Sequence, residues 1–118
     1  MLSRRVVVAD NDPEITDLLI VDLEAEGHQV VGSAPGGEEA FELCTKHKPD
    51  VLVIDYRMPP GPNGLVIAER MRAELPEVAV ILYTNYRGDD IRQEAARLGA
   101  RYQMKGNIRA LRRLVADS

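Results

Sequence analysis

The stretch Val51-Leu52-Val53-Ile54-Asp55-Tyr56-Arg57-Met58-Pro59 decides how this chain is read. Four consecutive aliphatic residues suit a strand covered on both faces, as in a parallel sheet. The run stops on a carboxylate, and a stiff loop, Pro59-Pro60-Gly61-Pro62, follows it. Similar runs lie on either side: Val6–Ala9 and Gln29–Gly32 before it, Val78–Tyr83 and Arg101–Met104 after it. Helical patterns separate them. Asp12-Pro13-Glu14 combines an N-cap, a first-turn proline and an acid near the positive end of the helix dipole. Ile15, Leu18, Leu19 and Leu23 then recur at helical spacing, and Gly27 marks the stop. A second helix is predicted from Glu38 to His47, with Ala40, Phe41 and Cys44 inward. A third follows Asn63-Gly64, carries Leu65, Ala68, Met71 and Leu75 inward, and ends at Pro76. A fourth runs from Asp89 to Leu98, and the last starts near Asn107 and carries Ile108, Leu111 and Val115. Five βα units with short connections imply an α/β fold: one doubly wound domain over residues 1–118, a parallel sheet with helices on both faces.

The composition agrees. A chain of 118 residues suits one domain and buries roughly 65% of its unfolded surface. Hydrophobic residues make up 45% and charged residues 29%, a globular balance with no run near the roughly 20 apolar residues of a membrane span. The start, MLSRRVVVADND, lacks the pattern of a secretory signal. Cys44 stands alone, which excludes an internal disulfide, and His28 and His47 have no cysteines with which to build a zinc site. These features predict a cytoplasmic protein. The net charge of −4 is unevenly spread. Seven acids and no Lys or Arg lie between Asp10 and Glu26, while six bases and one acid lie between Arg97 and Ser118. Two solvated helix faces account for that division, and it does not point to nucleic-acid binding.

In an open parallel sheet the site lies outside the carboxyl ends of the strands. Asp10, Asn11 and Asp12 follow the first strand, Asp55 the third, Thr84 the fourth and Lys105 the fifth. Converging carboxylates repel, and a divalent cation relieves the repulsion. Oxygen donors with water suit Mg2+, which favours phosphate partners. A lysine supplies a compact charge for phosphoryl oxygens, and a threonine hydroxyl supplies a hydrogen bond. Positioning and charge neutralisation are most of what phosphoryl transfer needs. Lys105 is the one lysine among the cations after Lys48; the others are arginine.

These residues, with the Val51–Pro59 segment, Gly64 and Tyr102, resemble in order and spacing the receiver domain of bacterial two-component response regulators. The resemblance covers essentially the whole chain. It implies a flavodoxin-like fold with five parallel strands in the order 2-1-3-4-5. Asp55 would be the phosphoacceptor of a His-to-Asp phosphorelay. Asp10, Asn11, Asp55 and the backbone carbonyl of Arg57 would ligate Mg2+, and Lys105 would bind a phosphoryl oxygen. Thr84 and Tyr102 would act as the switch, moving inward and reshaping the surface of the fourth helix, fifth strand and fifth helix. The implied partners are a sensor histidine kinase or a histidine phosphotransferase, and a downstream protein or fused output domain. A homodimer through the fourth helix, fifth strand and fifth helix would pair Asp89-Asp90 with the Arg-rich last helix. The resemblance implies a signalling phosphoacceptor rather than an enzyme, with neither nucleic acid nor membrane as a direct partner. The sequence ends soon after the fifth helix and carries no output domain, which fits a stand-alone receiver or a piece of a longer regulator.

The departures from the family pattern carry expectations of their own. Asn11 stands where the family has a second acid, which predicts weaker Mg2+ binding; Asp12 is read as the helix cap. The Asp55–Gly64 loop is one residue longer than the common spacing. Gly106 replaces a proline that often follows in a cis peptide, so a trans Lys105–Gly106 bond is expected. Asn85 replaces a small residue. Arg57 and Tyr86 are large at positions that tune phosphoryl lifetime, which predicts slow loss of the phosphoryl group. Tyr56 and Tyr83 are read as packing, Phe41 and Cys44 as core, His28 and His47 as surface, and Ile15, Leu18, Ile20 and Val21 as part of a docking patch. Two alternatives remain. One is a degenerate receiver that binds partners without phosphorylation. The other is a phosphohydrolase of the haloacid dehalogenase type with Asp10 as nucleophile, against which stand Glu14 and the short chain.

Overall fold

A computed structural model describes residues 3–118. The elements alternate throughout: β1 (Arg5–Ala9), α1 (Pro13–Ala25), β2 (Gln29–Ala34), α2 (Gly37–His47), β3 (Val51–Ile54), α3 (Gly64–Glu74), β4 (Ala79–Thr84), α4 (Asp89–Arg97), β5 (Arg101–Met104) and α5 (Ile108–Ala116). All strand pairs are parallel and the order is β2-β1-β3-β4-β5. The direction of winding reverses between β1 and β3, so the loops after these two strands diverge to opposite faces and leave a crevice.

Strand alternation divides the core in two. Val6 and Val8 of β1, with Val51, Val53 and Ile81, face Leu19 and Leu23 of α1 and Leu111 and Val115 of α5. Val7 and Ala9, with Leu52, Ile54 and Leu82, face Ala40 and Cys44 of α2, Ile67 and Met71 of α3, and Ile91 and Ala95 of α4. The central strands β1, β3 and β4 are the continuous apolar runs, because both their faces are covered. The edge strands β2 and β5 are only partly buried and correspondingly more polar. Among the described residues no helix is long and apolar enough to cross a membrane.

Local chemistry sets the helix starts. The Asp12 carboxylate accepts from Glu14 N at 3.0 Å, with Pro13 in the first turn. Asn63 accepts from Leu65 N and Val66 N at 2.9 and 3.0 Å, and Asn107 from Ala110 N at 3.0 Å. Three expectations need correction. Leu18 is 59% exposed: the buried stripe of α1 is Thr16, Leu19 and Leu23, and Leu18 lies one residue, about 100°, off Leu19. His28 is buried, because it directly precedes β2 beside the start of β1, where its Nδ1 accepts from Arg4 N at 3.0 Å. Phe41 is half-buried, its ring covered by the Arg70 guanidinium at 4.1 Å. β2 also runs two residues beyond the predicted Gly32.

Gly64 fits the start of α3 against the end of β3. Its N–H donates to Tyr56 O at 2.7 Å, and a Cβ there would lie 2.2 Å from Asp55 O and 2.8 Å from Leu82 Cδ1. Backbone cannot yield like a flexible side chain, so a methyl group would force β3 and α3 apart. Gly64→Ala is therefore expected to cost about 2 kcal/mol in urea unfolding, within the range for overpacking. Gly61→Ala, where a Cβ would lie 4.0 Å from Met58 O, is expected to change stability by less than about 0.5 kcal/mol.

Candidate functional site

The sheet ladder runs on into the site. Asp10 N donates to Ala34 O, Asp55 N to Ala9 O and Lys105 N to Thr84 O, each at 3.0 Å. Three ionisable side chains are thus held by backbone hydrogen bonds just past the ends of β1, β3 and β5. They meet: Lys105 Nζ lies 2.6 Å from Asp10 Oδ2 and 2.8 Å from Asp55 Oδ2. The other carboxylate oxygens are held by backbone, Asp10 Oδ1 by Asp12 N at 2.9 Å and Asp55 Oδ1 by Tyr56 N at 2.7 Å. The three side chains are only 2%, 11% and 13% exposed for Asp10, Asp55 and Lys105, so water screens their charges little.

Electrostatics follow from that burial. Desolvation raises the Asp10 pKa and the nearby Asp55 charge adds to it; the bonds from Lys105 and Asp12 N pull the other way without prevailing. Burial works against the Lys105 charge, but hydrogen bonds to Asp10 and Asp55 and the attraction of both carboxylates leave its pKa above the ordinary value. The ammonium is therefore firmly charged at neutral pH.

An open cleft of about 320 Å3 lies over this triad, lined by Asp55, Arg57, Thr84, Asn85, Tyr86 and Lys105. Thr84 is buried at the end of β4, and its Oγ1 accepts from Tyr86 N at 3.2 Å. Tyr102 is half-buried on β5, and its hydroxyl donates to Tyr86 O. Asn11 is exposed; with Asp10 it lines a second cleft that runs toward Ser33 and Pro35. The arrangement thus brings Asp10, Asp55 and Lys105 into contact and puts Thr84 on the cleft lined by Asp55 and Lys105, while Asn11 lines a separate cleft with Asp10 and Tyr102 reaches the first only through its bond to Tyr86. Gly106 has φ +101°, which proline's fixed φ near −65° cannot reach, and its peptide bond to Lys105 is trans.

Tyr56, read above as packing, does pack against the core, and it also meets Tyr86 of the cleft. Its ring lies 5.1 Å from that of Tyr86, and the Arg57 guanidinium sits 5.9 and 5.4 Å from the two ring centroids. The available signal was positional: residues just past Asp55 and Thr84 leave adjacent strands at the same edge.

The donor set suits a hard divalent cation. Two buried carboxylates present oxygen toward one shared positive charge, and the exposed Asn11 amide stands beside Asp10. Among the described residues no group of three or more His, Cys, Asp or Glu side chains is placed to hold a metal ion, so any cation here would lean on main-chain and amide oxygens and water.

Comparison with known proteins agrees with this fold. The family profile of the response regulator receiver domain matches residues 6–115, and the chain belongs to that family. It is 32% identical to the oxygen regulatory protein NreC of Staphylococcus haemolyticus over 98 residues, covering 82% of this chain and 45% of NreC. The chain therefore spans less than half the length of that relative. It is also 32% identical over 100 residues to sporulation initiation phosphotransferase F of Bacillus subtilis, covering 85% of this chain and 79% of the relative. Among solved structures, the REC domain of AraT, a response regulator from Geobacillus stearothermophilus, matches with a TM-score of 0.82 at 33% identity, covering 98% and 92% of the two chains. The response regulator TrrA of Thermotoga maritima, solved in complex with Mg2+–BeF, matches with a TM-score of 0.85 at 30% identity, covering 97% of each.

The raised Asp10 pKa has a definite sign for stability. Above the ordinary value of 3.8 the folded state holds a proton that the unfolded state releases, so this carboxyl costs stability as pH rises through that window. In buffer free of divalent cations, Asp10→Asn is expected to unfold at higher urea than the unsubstituted chain at pH 7. The difference should shrink as pH is lowered toward 3.8. An advantage that grows on acidification would contradict the assignment.

Proposed function

We propose that this receiver domain, taken as residues 1–118, is a Mg2+-dependent phosphoacceptor with Asp55 as the residue that takes the phosphoryl group. One observation carries the reading: Asp55 directly follows the central strand β3, shares an ammonium with Asp10, and shares the open cleft with Thr84. A carboxylate oxygen of Asp55 attacks phosphorus of a phosphohistidine. A P–O bond forms, the P–N bond breaks, and its electron pair returns to the imidazole nitrogen. Lys105, already beside the attacking carboxylate, binds a phosphoryl oxygen as charge accumulates there. Thr84 gives up the Tyr86 N–H and turns its hydroxyl into the cleft. Asp10, Asn11, Asp55 and the Arg57 carbonyl would hold Mg2+, whose charge offsets the repulsion between the carboxylates and the incoming phosphoryl oxygens.

Asp10 is a poorer nucleophile candidate. The cleft that holds Thr84, Asn85 and Lys105 is lined by Asp55 and not by Asp10. The reading places the chain in a cytoplasmic signalling role. A sensor histidine kinase or histidine phosphotransferase donates the phosphoryl group. The surface of α4, β5 and α5 reports the result to a downstream protein or output domain. Its chemistry would be limited to assisting its own phosphorylation and dephosphorylation, without turnover of a substrate.

The test is intact mass after incubation with acetyl phosphate and Mg2+. A gain of one phosphoryl group is expected, absent without Mg2+ and absent in Asp55→Asn. No gain under any condition would favour a degenerate receiver, and a gain that survives Asp55→Asn but not Asp10→Asn would restore the phosphohydrolase reading. Asn11→Asp adds a charged oxygen at the margin of the site and is expected to tighten Mg2+ binding by about tenfold, the effect of roughly 1.4 kcal/mol. A metal titration giving equal affinities for the two proteins would remove Asn11 from the ligand set.

A further inference from the structure

The connection between β5 and α5 is Lys105, Gly106 and Asn107, and it carries the ammonium of the site. A lysine stem is long and flexible, so the resting place of its charge depends on how firmly the main chain below it is held. On one side the hold is the sheet ladder: Lys105 N donates to Thr84 O at 3.0 Å, and the ladder ends there. The next N–H, that of Gly106, lies beyond it. Gly106 is exposed, has φ +101°, and a Cβ on it would meet no atom within 4 Å. No neighbour packs on it to fix the peptide, and glycine has the most conformational freedom to restrain. A side chain supplies the restraint instead: the Gly106 N–H donates to the Tyr83 hydroxyl at 3.3 Å.

Tyr83, read above as packing, does pack. It is 6% exposed and belongs to the core cluster of Leu19, Ile81 and Leu111. A buried hydroxyl is costly unless it is hydrogen-bonded, and among the described residues the Gly106 N–H is the partner given to this one. The phenol oxygen lies on the axis of its ring, so a ring clamped in the core fixes the oxygen as well. Tyr83 is not among the residues that line the cleft over Asp55. It lines a recess of about 270 Å3 with Ile15, Leu19, Gly106 and Ile108, and Lys105 borders both openings. The recess leaves the Lys105–Gly106 peptide room to shift, so the hydroxyl bond rather than close packing holds it.

We propose that Tyr83 is a positioning residue for phosphoryl transfer, its hydroxyl fixing the Gly106 N–H and thereby the Lys105 ammonium against Asp55, a role that rests on the reading of Asp55 as phosphoacceptor. Successive residues of β4 then serve one lysine. Thr84 holds its N–H with a main-chain carbonyl, and Tyr83 holds the following N–H with a side chain. Tyr83 touches no reacting atom and acts only through Lys105. A misplacement of about 1 Å at such a charge can cost on the order of a hundredfold in rate; with the ladder bond intact, loss of the hydroxyl is expected to cost about tenfold.

Tyr83→Phe keeps the ring and removes the acceptor alone. Its urea midpoint is expected to stay close to that of the unsubstituted chain, because Gly106 is exposed and its N–H can turn to water. In buffer without divalent cations or phosphoryl donor, NMR follows exchange of the Gly106 amide and of the Lys105 ammonium protons. Each is expected to be about tenfold faster in the variant, the effect of one ordinary hydrogen bond, while the amides of Ile81 and Leu82 keep their rates. With acetyl phosphate and Mg2+, the gain of a phosphoryl group read by intact mass is expected to be about tenfold slower. A variant phosphorylated at the unsubstituted rate overturns the proposal, as does unchanged exchange at the Lys105 ammonium. Faster exchange throughout β4 overturns it in favour of a general loss of packing. If the unsubstituted chain takes no phosphoryl group, the Asp55 reading falls and the role with it; the exchange rates, measured without donor, tell that outcome from failure of the hold on Gly106.

Discussion

Two buried carboxylates and one ammonium form the constraint on which the rest of the molecule depends. Asp10 and Asp55 could not both stay charged at the dry end of a sheet without a cation between them. Lys105 is that cation, at 2.6 and 2.8 Å from the two. Removing the Lys105 ammonium would leave both carboxylates without a counter-charge, typically at about 3–5 kcal/mol. The triad forms only if the ends of β1, β3 and β5 stay in register. Asp55 N on Ala9 O and Lys105 N on Thr84 O extend the ladder to the charged residues themselves. The order β2-β1-β3-β4-β5 follows from the same requirement, since it sets β1 and β3 side by side at the point of reversal.

Packing around β3 protects this arrangement. Met58 is buried just past Asp55, and Gly64 brings the start of α3 against the Asp55 carbonyl. The segment from Asp55 to Gly64 is thus pinned at both ends. Its middle, Pro59 to Gly61, is exposed and free to vary in length. An extra residue in this loop would add to the exposed part, where loop closure costs little.

The sequence exposed much of this and concealed some. Val51–Ile54 read as a covered strand because nothing polar interrupts it, and the caps at Asp12 and Asn63 read correctly because their hydrogen bonds are local. Asp10, Asp55, Thr84 and Lys105 are legible as a set, since each lies at or just past the end of a strand. Leu18 reads two ways, as part of the apolar repeat and of an exposed patch, because periodicity alone does not say which edge of an apolar stripe faces inward; its exposure decides for the second. His28 was misplaced because its burial depends on Arg4, 24 residues away, whose N–H it accepts. The stacking of Tyr56, Arg57 and Tyr86 was invisible for the same reason. It needs the ends of β3 and β4 to lie side by side, a tertiary fact that no single segment encodes.

One peptide joins the cleft to the far edge of the sheet. The Tyr86 N–H donates to the Thr84 hydroxyl, and the Tyr86 carbonyl accepts from the Tyr102 hydroxyl. The Tyr102 ring in turn lies 4.4 Å from the Arg92 guanidinium on α4. A hydroxyl at Thr84 that turns toward a phosphoryl group releases the Tyr86 N–H, and the same peptide carries that change to Tyr102. Coupling of this kind requires an element with two discrete arrangements that both ends bias. The Thr84 hydroxyl would have two, the one bonded to Tyr86 N and one turned into the cleft, so under the proposed phosphorylation this single side chain would link chemistry at Asp55 to the surface of α4 and β5.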